Sequence, residues 1–71
     1  MTVSSVQAQK VLTGNHNFTQ FGFSMLITRL KFVYTNDKSQ TVLQNCVNEI
    51  NAFMAKYASV MAADYAVISK L

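Results

Sequence analysis

Residues 38–71 read KSQTVLQNCVNEINAFMAKYASVMAADYAVISKL, with no glycine and no proline anywhere in the stretch. Leu43, Cys46, Ile50, Phe53, Tyr57, Val60, Val67 and Leu71 follow one another at helical spacing. Val47, Met54, Met61 and Ile68 accompany them at every seventh position. The stripe is wide enough to face a core rather than a narrow two-stranded seam. The pattern predicts one helix over 38–70, about 50 Å long at 1.5 Å per residue. The rest of the chain is too short to cover it, which marks it as an element of assembly.

The face opposite the stripe is built from small and amide side chains, where a solvated face ordinarily carries Lys and Glu. Ala52, Ala55, Ser59, Ala62 and Ala66 line up there and form a candidate interface. An exposed face that merely uses alanine, a strong helix former, weighs equally. Asp64 joins this set for a different reason. It stands in the apolar stripe, where a carboxylate needs a partner, and neither Lys56 nor Lys70 shares its face. Either the stripe reaches solvent at that point, or the carboxylate fixes register across an interface, or it accepts a proton in chemistry. The first reading is the simplest, and one isolated carboxylate gives the last little support.

Working back toward the N-terminus, Thr35 to Gln40 supplies a turn. Asp37 followed three residues later by Gln40 reads as a capping box that starts the long helix. Before it, Phe23, Leu26, Ile27, Leu30, Val33 and Tyr34 share a helical face, flanked by Phe18, Phe21, Met25 and Phe32. A strand reading has Phe21, Phe23, Met25 and Ile27 alternating, but the alternation fails at Leu26, and the segment outlasts an ordinary strand. A helix over 17–35 is therefore expected, antiparallel to the long one across a short loop. Residues 13–17 are a polar break. Residues 1–12 form an N-terminal arm or short helix, which the spacing leaves open.

A chain of 71 residues makes a single small domain whose own core is marginal. One cysteine cannot form an internal disulfide, and one histidine beside it cannot complete a structural zinc site. Oligomerisation is the remaining source of stability, with a dimer as first choice. His16 reads as a solvent-exposed loop residue, and Cys46 as a buried inert thiol. No cofactor, metal or catalytic constellation is expected.

The net charge is +3, and Lys10, Arg29, Lys31 and Lys38 face only Asp37 in the first part of the chain. Those four cations are the candidate phosphate contacts of an alternative reading, although the patch is thinner than nucleic-acid binders usually show. The aromatic run from Phe18 to Tyr34 reads as core rather than as a base-stacking platform. No leader or membrane span is expected, and a cytoplasmic setting follows by default. The final Ser69-Lys70-Leu71 matches a peroxisomal address and is read as accidental.

The expected protein is thus all-α: a helical hairpin with a long C-terminal helix, associating into a four-helix or larger bundle. Its expected function is non-enzymatic, as a small interaction or assembly protein acting through a helical surface. The partner is a second copy or another protein. A nucleic-acid accessory role is the alternative, and a membrane-associated subunit is a weaker one.

Overall fold

The computed structural model describes residues 2–71 and is helical, with no strand among the described residues. Helix α1 spans Ser5–Thr13, α2 Phe21–Asn36, α3 Gln40–Lys56 and α4 Ala62–Ser69. The first helix begins on a capping box. Ser4 Oγ accepts from the Gln7 amide at 3.2 Å, and Gln7 Oε1 accepts from the Ser4 amide at 2.9 Å. Those reciprocal bonds satisfy two of the donors a helix start leaves orphaned. Ahead of the cap, Val3 is buried, and its amide donates to Asn51 Oδ1 on α3 at 2.7 Å. The segment left open between arm and helix is therefore fastened at its start and helical beyond it.

α1 is also the hub of the molecule, packing against α2, α3 and α4 alike. Ala8, Val11 and Leu12 form its buried side. Ala8 is fully enclosed, and its small side chain lets the neighbouring helices come close. Around it, Phe23, Ile27, Leu30 and Tyr34 of α2 meet Leu43, Cys46, Ile50 and Met54 of α3. The four helices of the described residues enclose a core within one chain, where a two-helix hairpin was expected.

The single helix expected over 38–70 is two. α3 ends at Lys56, and the chain turns through Tyr57–Met61 before α4 begins. Local propensity does not demand this break, since neither glycine nor proline is present there. Packing demands it. An unbroken helix from 40 to 69 would be about 45 Å long, whereas the longest extent of the molecule is 31 Å. The turn folds α4 back against α1 and buries Met61 and Ile68, which a straight helix would have left in water.

The start of α3 also lies two residues later than expected. Ser39, not Asp37, is its N-cap, accepting from the Val42 amide at 3.2 Å. Asp37 closes α2 instead, and its carboxylate accepts from the Ser39 amide at 3.1 Å.

Candidate functional surface

α2 is apolar on two faces. Phe23, Ile27, Leu30 and Tyr34 follow a four-three-four rhythm and are all buried. Phe21, Met25, Thr28 and Phe32 repeat that rhythm two residues out of phase, which turns them about 200° around the helix. This second stripe points into solvent: Phe21 is 79%, Met25 59% and Phe32 71% exposed. Isolated exposed apolar residues are ordinary, but two aromatics and a methionine aligned on one helix form a patch.

Beside that stripe, between α2 and α3, lies an open groove of about 560 Å³ with Leu26 and Phe53 in its lining. A smaller depression of about 370 Å³ continues past Gly22 to Tyr57 and Val60. Gly22 belongs to both, and a Cβ added there would stand 3.3 Å from Phe53 Cζ. The absent side chain thus lets α2 lie close to the Phe53 ring. Beneath the groove the aromatic rings form a series, with Phe18 on Phe23 at 5.0 Å, Phe23 on Phe53 at 5.9 Å and Phe53 on Tyr57 at 4.9 Å. The aromatic run therefore divides. Phe18, Phe23 and Tyr34 pack inward as expected of core, while Phe21 and Phe32 do not.

The proposed small-residue interface is not one face. The turn after α3 separates Ala52 and Ala55 from Ala62 and Ala66, and leaves Ser59 between them. All five are exposed, and Ala52 lines the wider groove.

Asp64 does not reach solvent, being only 1% exposed. Its Oδ1 accepts from the Thr19 amide at 2.7 Å and from Thr19 Oγ1 at 2.9 Å. Its Oδ2 accepts from the Gln20 amide at 3.1 Å. Gln20 is the N-cap of α2 and offers no side-chain cap of its own. The carboxylate of α4 thus takes over the entrance to α2, and it also occupies the first turn of α4. Negative charge is favourable at both helix N-termini. Its partners lie within the chain, so Asp64 ties α4 to the start of α2.

Three of the four candidate phosphate contacts have partners within the chain. Arg29 pairs with Glu49 at 2.9 Å, Lys10 Nζ donates to the Leu71 carbonyl at 2.7 Å, and Lys31 Nζ donates to the Gly14 carbonyl at 2.8 Å. Lys38, in the exposed turn before α3, makes no side-chain hydrogen bond or ion pair among the described residues. Cys46 is buried, and burial pushes its thiol above the ordinary value of 9.0. Glu49 adds to that rise, and Arg29 opposes it. No group of three or more His, Cys, Asp or Glu that could hold a metal exists among the described residues. Among the same residues, no helix is long and apolar enough to cross a membrane.

In the sequence the outer stripe lies behind the stronger inner face, with Phe21, Met25 and Phe32 reading only as its flanks. Its signal was present in the second four-three-four phase. Comparison of the chain with protein-family models, with curated proteins and with solved structures yields no match.

Proposed function

We propose that this chain is a non-enzymatic helical interaction protein whose working surface is the outer face of α2 with the groove beside it. One observation carries the reading. The aromatics Phe21 and Phe32 and the thioether Met25 stand in line on a helix whose other face already supplies its share of the core. A helix apolar on both sides is a helix covered on both sides. Met and aromatic side chains are also enriched in interface cores, the aromatics as large apolar area and Met as an adaptable filler. An apolar groove flanked by such a stripe suits a helical ligand, which lays its own apolar face into the channel.

The test pairs the wild type with a Phe21→Ser/Phe32→Ser variant. Both chains are immobilised, exposed to host extract, and also weighed in solution at several concentrations. The reading expects an association, with itself or with another protein, that the wild type shows and the variant lacks. If both chains stay monomeric and retain the same proteins, the surface has no such role.

A further inference from the structure

The geometry points to a second copy of this chain as the occupant of the outer face of α2, with the two α2 helices antiparallel about a two-fold axis. The inference rests on the interaction reading above and names its partner. Symmetry supplies the first argument. The stripe Phe21, Met25, Thr28, Phe32 keeps its spacing when read backwards, so it is complementary to itself about a point between Leu26 and Ile27. An isologous interface pairs residue i with j and j with i, so in this register every position of the stripe meets another position of the stripe. Phe21 faces Phe32 of the partner subunit, and Met25 faces Thr28 of the partner subunit. The aromatic pair recurs at both ends, about 16 Å apart along the helix.

Charge supplies the second argument. Arg29 and Lys31 flank the stripe, and α2 carries no acidic residue. Two such helices face to face would repel if both cations were free. They are not free. Arg29 is paired with Glu49, and Lys31 reaches back to the Gly14 carbonyl at the end of α1. Glu49 thus neutralises Arg29 in each copy, and Lys31, which keeps its charge, is held toward the end of α1.

Area supplies the third. Phe21, Met25 and Phe32 together expose on the order of 400 Å², taking roughly 150 Å² for each largely exposed aromatic ring. A standard interface covers about 800 Å² per partner, of which about 450–520 Å² is apolar. Three side chains therefore supply most of the apolar area required, and the rims of the neighbouring groove can complete it.

Sedimentation of the intact chain up to about 1 mM tests the proposal. A dimer is expected, and Phe21→Glu or Phe32→Glu should each weaken it by at least about 100-fold while the helical spectrum is kept. Lys38→Glu should leave it unchanged. Phe32→Ser serves in place of either glutamate variant that fails to fold. Register is read by mixing equal amounts of Met25→Cys and Thr28→Cys chains under oxidation, where the mixed disulfide should exceed the twofold excess over each homodisulfide that random pairing gives. Cys46 is buried and does not compete. A wild type that remains monomeric, a dimer indifferent to both Phe variants, or a preference for homodisulfides would overturn the proposal. So would a monomer that binds anionic vesicles through Phe21. A monomer that captures another protein, lost in the Phe variants, removes the second copy but leaves the interaction reading standing.

Discussion

A carboxylate leaves water for a protein interior only where donors replace what water supplied, and Asp64 obtains three of them from Thr19 and Gln20. Asp64→Ala would orphan those donors at the start of α2, at a cost of about 2–3 kcal/mol. For a chain of this length the melting temperature should fall by roughly 10–20 °C. A melting curve that superposes on the wild type would show that Asp64 is not the anchor of α4. Cys46 offers a test of a different kind. Its thiol titrates above the ordinary value of 9.0 because the buried site resists the thiolate. The folded state therefore holds its proton where the unfolded chain releases it, and that contribution to stability is complete below 9.0. It declines as pH rises from there through the raised folded value. Denaturation of the wild type and of Cys46→Ala, compared from pH 7 to 11, should show a constant difference at the lower end. Above about pH 9 the wild type should lose stability relative to the variant. At neutral pH the folded thiol should stay unmodified by thiol reagents until the protein unfolds.

At the scale of elements, Gly14 decides where α1 stops. A Cβ there would stand 2.8 Å from the Lys10 carbonyl oxygen and 2.8 Å from His16 Nε2. The histidine can move, but the backbone carbonyl cannot move without disturbing the last turn of the helix. Gly14→Ala should cost about 1–3 kcal/mol, measured by urea denaturation with an unchanged slope. Equal midpoints would show that the turn relaxes freely. What was legible in the chain follows the same division between local and distant causes. The inner face of α2 was readable because Phe23, Ile27, Leu30 and Tyr34 repeat at helical spacing within one segment. The start of α1 has a local signal too, Ser4 and Gln7 at capping-box spacing, although the weak apolar spacing of residues 1–12 leaves arm and helix open. The end of α3 was not readable. Tyr57 to Met61 contain no breaker, and the turn exists because α1 offers α4 a surface from the opposite end of the sequence. The role of Asp64 was hidden for the same reason, since its donors lie more than forty residues away. Ala52 to Ala66 looked like one face only while the helix was taken as continuous.

For the molecule as a whole, what folds the chain and what it presents are set on opposite sides of α2. Leu30 is 1% exposed and belongs to the core, so Leu30→Ala should cost about 2–5 kcal/mol by leaving a cavity. Phe21, Met25 and Phe32 face water, and replacing all three with serine should change the stability of the isolated chain by no more than about 0.5 kcal/mol each. The exposed Arg29–Glu49 pair belongs with the surface as well, and such pairs contribute about 0–1 kcal/mol. The separation becomes measurable through mass action. A partner that binds only the folded chain raises its melting temperature, and self-association makes that temperature depend on protein concentration. At the lowest concentration that a spectrometer allows, wild type and triple-serine chain should melt within about 10 °C of each other, since both are then monomers with the same core. As concentration rises a hundredfold, the wild type should melt progressively higher while the triple variant stays where it was. Leu30→Ala should melt lower than wild type throughout and still climb with concentration, because its outer stripe is intact. A triple variant that already melts well below the wild type at high dilution would place Phe21, Met25 and Phe32 in the fold rather than on its working face.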